Sequence, residues 1–161
     1  MDIDWEQLWT VAAAQFALPA DSIHGTAHWG RVERHGVRLA EESGGDLLVV
    51  RLFAVFHDVC RLSDSIDDQH GARGAELAAH WRDCYFALSD AQFSALHYAC
   101  TWHTAGQVSD DPTIGACWDA DRLDLWRAGL TPKEKYMSTE YGRMLVRTGQ
   151  VGLQYTPKAG L

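Results

Sequence analysis

Asp46–Asp58 reads DLLVVRLFAVFHD. Its valines and near-continuous apolarity suit a strand buried on both faces, or equally a helix driven through a core, and periodicity alone does not separate the two. The choice decides the fold class. The apolar run with its closing His57-Asp58 is about twelve residues long, more than an ordinary strand needs. Asp46 stands where a helix would be capped, and no other segment of the chain reads as a strand to pair with. The run is therefore read as a helix and the chain as all-α. That reading sharpens a question: why a greasy helix should end on a histidine and a carboxylate side by side.

Working outward, the neighbouring segments also carry helical patterns. Trp5, Leu8, Trp9, Ala12, Ala13 and Phe16 recur at spacings of three and four, and Pro19 and Asp21 end that helix. A second helix is predicted from about Thr26 to Glu42, with His28, Val32, His35 and Leu39 on one stripe and Gly44-Gly45 as its stop. A fourth is expected from about Gly71 to Tyr85. Ser89-Asp90-Ala91-Gln92 is a capping box opening a fifth that reaches about His103. Gly106 to Pro112 reads as a loop and Thr113 to Arg127 as a sixth helix, stopped by Gly129. Thr131-Pro132-Lys133-Glu134 is a second capping box with proline at the first helical position, predicting a last helical stretch. The tail from Gly149 reads as irregular. No repeat or low-complexity linker divides the chain, so 1–161 is read as a single domain.

Composition narrows the class. Hydrophobic residues make up 47% and charged residues 22%, a globular rather than a disordered profile. The net charge of −8 argues against broad binding to duplex nucleic acid, which needs a basic surface. Cys60, Cys84, Cys100 and Cys117 form no CxxC pair and read as reduced thiols, most of them filling the core. The acidic N-terminal stretch MDIDWEQLWTVAAAQF lacks the positive charge of a secretory signal. The longest apolar run, Leu47–Phe56, is too short to span a membrane and carries Arg51. A cytoplasmic location is expected.

Eight histidines set beside carboxylates suit borderline divalent ions such as Mn, Fe, Co, Ni or Zn. Adjacent helical residues point about 100° apart, so His57 and Asp58 can share a site only where the helix end meets a central cavity. His28 lies on the apolar stripe with Val32 and Leu39. Asp121 is three or four residues from Cys117, Trp118 and Leu125, again on an inward face. His103 follows the apolar face of Leu96 and Cys100, and His97 has a comparable claim. Each also has an ordinary reading: His70 as a solvated helix start, His103 as an end cap, and Asp64, Asp67 and Asp68 as loop acids before His70. His35 and His80 read as structural.

The order His28, His57-Asp58, Asp121 resembles that of the HD superfamily of metal-dependent phosphohydrolases, named for its adjacent His-Asp pair. The local words match as well: His24-Gly25-Thr26-Ala27-His28 resembles the family's first-histidine helix, His57-Asp58-Val59-Cys60-Arg61 its HD motif, and Asp119-Ala120-Asp121-Arg122-Leu123-Asp124 its final-aspartate helix. The resemblance covers about 24–128. It implies a compact helical HD-domain fold around a central metal site, with His28, His57, Asp58 and Asp121 as ligands. His70-Gly71-Ala72-Arg73-Gly74-Ala75-Glu76-Leu77 resembles the additional histidine motif of members that hold two metals, and His103 sits at the position of their fourth histidine. In that case Asp58 bridges two ions, with His28 and His57 on one side and His70 and His103 on the other; without it, one ion is held.

The activity implied is hydrolysis of a phosphate ester, in a nucleotide or another small phosphorylated metabolite, by metal-bound hydroxide. Arg61 and Arg73, then Arg31 and Arg122, are the candidates for the developing phosphate charge. His24, one turn before His28, is a candidate acid–base or supporting group. Two other functions stay open. Some two-iron HD relatives are oxygenases that cleave C–C or C–P bonds with the same ligand order, and a non-catalytic metal-containing module is conceivable. No Gly-Tyr-Pro follows the later histidines, so the cyclic-dinucleotide phosphodiesterases that bear this motif are a poor match.

Overall fold

The structure is a computed structural model that describes residues 2–151. The Asp46–Asp58 stretch is helical over Leu47–Phe56, and most of that helix is buried. α3 (Leu47–Phe56) keeps Val49, Val50, Leu52, Phe53, Ala54, Val55 and Phe56 out of water. A segment buried over most of its surface must satisfy its own backbone groups, and a helix does so internally. Asp46 caps it by accepting from Leu48 N and Val49 N at 2.9 and 3.1 Å. The Asp46 carboxylate also accepts from Gln92 Nε2, and its backbone N–H donates to Thr113 Oγ1. One residue thus ties the start of α3 to two further helices.

Those helices form the shell. α1 (Trp5–Gln15) lies against α3 and buries Leu8 and Ala12. α2 (Thr26–Ser43) packs on α3 and on α6 (Pro112–Leu123). α4 (His70–Trp81) packs on α5 (Asp90–Trp102), whose predicted Ser89/Gln92 capping box is formed. α7 (Glu140–Thr148) sits against α2 and α6. Among the described residues there is no β-strand, only an isolated bridge between Arg82 and Phe86. None of the described helices is long and apolar enough to cross a membrane.

Glycines set how closely α4 approaches. A Cβ on Gly74 would overlap the carbonyl oxygen of Phe56, the last residue of α3. One on Gly71 would overlap the carbonyl of Cys100 and crowd the His103 ring. The HGARG sequence is therefore a contact surface, bringing the N-terminus of α4 against the C-termini of α3 and α5 at once.

Three boundaries differ from the sequence reading, one for a local reason and two for nonlocal ones. α4 stops at Trp81 rather than Tyr85, because Arg82 turns extended and Asp83 takes φ +67, allowing Asp83 N to reach Phe86 O. α6 ends at Leu123 and gives way to a 3-10 turn at Leu125–Ala128, which leaves Asp124 at the junction with its side chain turned inward. The Thr131 box opens no helix. The buried carboxylate of Asp119 accepts from Ser138 N, Thr139 N and Thr139 Oγ1 at 2.7–2.8 Å, making Thr139 the cap of α7; the chain before it forms only a 3-10 turn at Glu134–Tyr136. Gly149 closes α7 with φ +69, and most of the tail read as irregular lies outside the described residues.

Candidate metal centre

The candidate ligands converge from five helices. α2 brings His28, the end of α3 brings His57 and Asp58, and the first residue of α4 is His70. His103 follows the last turn of α5, and α6 brings Asp121. His28, His57, Asp58, His70 and His103 are each at most 4% exposed. The imidazoles meet in two facing pairs: His28 Nε2 is 3.0 Å from His57 Nε2, and His70 Nε2 is 2.9 Å from His103 Nε2.

Asp58 lies between the pairs. Its Oδ2 is 3.5 and 3.7 Å from the Nε2 atoms of His28 and His57. Its Oδ1 is 3.0 and 3.6 Å from those of His70 and His103. Two three-residue donor groups therefore share this one carboxylate. Asp121 joins the first pair, with Oδ1 3.3 Å from His28 Nε2.

The far side of each ring fixes its tautomer. His57 Nδ1 donates to the carbonyls of Phe53 and Ala54, both at 3.1 Å. His103 Nδ1 donates to Cys100 O at 2.7 Å, and His70 Nδ1 to Asp67 O. His28 Nδ1 donates to Asp124 Oδ2 at 2.7 Å. Carbonyls and carboxylates only accept, so Nδ1 carries the proton in every neutral ring and leaves Nε2 as its lone pair; a protonated ring instead donates from Nε2 to the carboxylate beside it. Two lone pairs about 3 Å apart repel unless a proton or a cation lies between them. Four such nitrogens, two carboxylates and an orienting acceptor behind each ring match the donor chemistry of borderline divalent ions. The residues fit a metal.

The electrostatics agree with that reading. Burial pushes His57 down to about 3, so its ring is held neutral. For Asp58, burial alone would favour the protonated acid, but the imidazoles packed around it, His57, His103, His24 and His70, hold it well below the usual carboxylate range. Asp121 is likewise held low against its burial, by the hydrogen bond to His28 and the charge of Arg127. His28 and His103 are raised: burial opposes the charged ring in both, but Asp121 and Asp124 outweigh it at His28, and Asp58 at His103. Ionised carboxylates beside basic imidazoles would meet a cation with the charge it needs.

The other candidates fall around this cluster. His24 Nδ1 lies 2.8 Å from Asp58 Oδ2 and is buried. Arg61 Nε donates to Asp58 Oδ1 at 3.2 Å, while its Nη1 donates to the carbonyls of Ser63 and Ser65. Arg73 is turned to the Cys60 carbonyl and the Asp67 carboxylate, bracing the loop before His70. Arg31 bonds Asp124 and Arg122 bonds the Tyr136 carbonyl. His97 is exposed and pairs with Glu76, away from the cluster. Asp64 accepts from Ser22 Oγ.

Two residues of the site were not singled out in the sequence. Asp124, fully buried, holds His28 through Oδ2 and Arg31 through Oδ1, both at 2.7 Å. Arg127 donates to Ile23 O and Asp124 O and reaches Asp121 Oδ1 at 3.4 Å. The available signal was the three-residue spacing 121, 124, 127, which returns to one side of a helix.

An all-helical shell closing on two histidine pairs and a shared aspartate defines a class: the HD-domain fold with a His/Asp cluster at its centre. The comparison with solved structures agrees. The chain is similar to the crystal structure of a predicted HD superfamily hydrolase from an uncultured Thermotogales bacterium, with 21% sequence identity, 89% of this chain and 83% of that chain covered, and a TM-score of 0.71. No family model matches the sequence, and no match was found among curated proteins.

Proposed function

We propose that this chain is a divalent-metal-dependent phosphohydrolase acting on a small phosphate ester, a nucleotide or another phosphorylated metabolite, with two ions held by His28, His57, Asp58 and Asp121 and by Asp58, His70 and His103. The observation that carries the reading is the single carboxylate shared by two facing pairs of imidazole lone pairs. Bound divalent ions would supply Lewis acidity and an activated water at neutral pH.

The chain's own residues hold that arrangement. His24 and Arg61 fix Asp58 from opposite oxygens, so the carboxylate that joins the pairs cannot rotate. Arg61 also places a permanent positive charge at the edge of the cluster, where a phosphate anion would approach. Arg73 acts one step back, holding the Cys60–Asp67 loop and with it the start of α4.

The test is a panel of nucleoside mono- and triphosphates, cyclic nucleotides and an aryl phosphate, assayed with Mn, Co, Ni and Fe. Phosphate release by the wild type and its loss in Asp58→Ala is the expected result. Turnover by Asp58→Ala at the wild-type rate would sink the reading. Oxygen consumption by the iron-loaded protein, with no phosphate released, would replace it with the oxygenase that the same donor set could support.

A further inference from the structure

A cavity of about 420 Å³ opens beside the cluster. His103 and Asp121, one candidate ligand from each half of the centre, form part of its wall. The apolar part of its lining comes from a stretch that the family resemblance barely reaches: Leu125, Leu130, Tyr136 and Met137. Leu130 and Tyr136 are 57% and 41% exposed, as expected of side chains that line an open recess and not the core.

Positive charges outnumber negative ones on this cavity. Arg122 and Lys133 line it, and among its described lining residues the only carboxylate is Asp121, itself committed to the cluster. Arg122 is 7% exposed; its Nη1 donates to Tyr136 O at 2.6 Å, while its Nη2 has no hydrogen-bond partner among the described residues. A buried guanidinium N–H without an acceptor is costly.

We propose that this cavity is the leaving-group site, taking the compact, apolar and uncharged organic part of a phosphate monoester. This rests on the phosphohydrolase reading. In the reaction, water adds to phosphorus and the ester P–O bond breaks with its electron pair on the alcohol oxygen. That oxygen takes up a proton, releasing the alcohol and inorganic phosphate. The recess beside His103 and Asp121 adjoins the cluster, is large enough for the alcohol and is lined to suit it. Arg122 and Lys133 favour an anionic ester and disfavour one with an ammonium substituent. Substrate choice therefore resides in the stretch from Leu125 to Met137.

The experiment compares binding of 1-naphthylmethylphosphonate and methylphosphonate, neither of which has an ester bond to cleave, to the full Mn-loaded chain by titration calorimetry. The naphthyl compound is expected to bind at least about tenfold tighter, since its ring system leaves water for an apolar wall. Leu130→Glu, at an exposed position that the fold does not depend on, should bring the ratio of the two affinities close to one. Equal affinities in the wild type, or a ratio unchanged by Leu130→Glu, would overturn the assignment. If that happens while the wild type still hydrolyses phosphate esters, the pocket assignment fails alone. A retained preference with no ester turned over would overturn the hydrolase reading instead.

Discussion

Asp124→Asn is the substitution that tests the logic of the centre most directly. Asp124 is buried and accepts two charge-assisted hydrogen bonds, from His28 Nδ1 and Arg31 Nε, both at 2.7 Å. Asparagine is nearly the same size but has only one acceptor oxygen. If that oxygen faces His28, the amide NH2 opposes the Arg31 donor. If it faces Arg31, the NH2 forces His28 to move its proton to Nε2, removing the lone pair aimed at the cluster. Either way the ring loses the charge that makes Nε2 basic. Loss of such an orienting partner lowers metal affinity by about 10–100-fold, or about 1.4–2.7 kcal/mol. The lost bond and the donor left facing a donor should also cost about 1–3 kcal/mol of folding stability in metal-stripped protein. The assay is competition for Zn or Mn with a chromophoric chelator, beside thermal denaturation of the stripped protein. Arg31→Met, which removes only the other partner, should affect metal affinity less. Affinity of Asp124→Asn within about twofold of wild type, whatever the melting temperature does, would refute the claim that Asp124 acts through His28.

Gly74→Ala places a methyl group against the Phe56 carbonyl, which is backbone and cannot yield as a side-chain tip would; a loss of about 1–3 kcal/mol in urea unfolding is expected, and wild-type stability would contradict the close approach. Metal binding should release protons. His28 and His103 are raised above the ordinary imidazole value, so in stripped protein they stay protonated to higher pH, and metal affinity should fall as pH drops through those raised values. The stability they give the stripped protein is complete below the ordinary histidine pKa and is lost as pH rises through the raised values. Calorimetry in buffers of different ionisation enthalpy counts the protons, and a pH-independent affinity between pH 6 and 8 would contradict the shifts.

Much of the fold was legible because its signals are local. The length of the Leu47–Phe56 run, the Asp46 cap and the Ser89/Gln92 box depend on neighbours within one turn. The convergence of His28, His57-Asp58, His70, His103 and Asp121 came through ordered motifs; spacing alone left His97 with as good a claim as His103. What stayed hidden was set by contacts between distant residues. Thr131 has the form of a cap, but Asp119 captures the backbone at 138 and 139 and starts α7 eight residues later than the box would. Asp124 reads as an ordinary helix-surface acid until the break after Leu123 turns it toward His28.

The His57 ring donates back to Phe53 and Ala54, carbonyls of the last turn of α3, while Asp46 pins the first turn. α3 is thus a ruler clamped at both ends, with a candidate ligand as its final graduation. Adding or removing one residue within it would rotate His57 by about 100° and shift it by about 1.5 Å relative to the cap. The buried side chains of α3 can vary so long as they stay apolar, but its residue count cannot. Any chain descended from the same ancestor and keeping this centre should show ten helical residues between its cap and its His-Asp pair, and should take its insertions in loops.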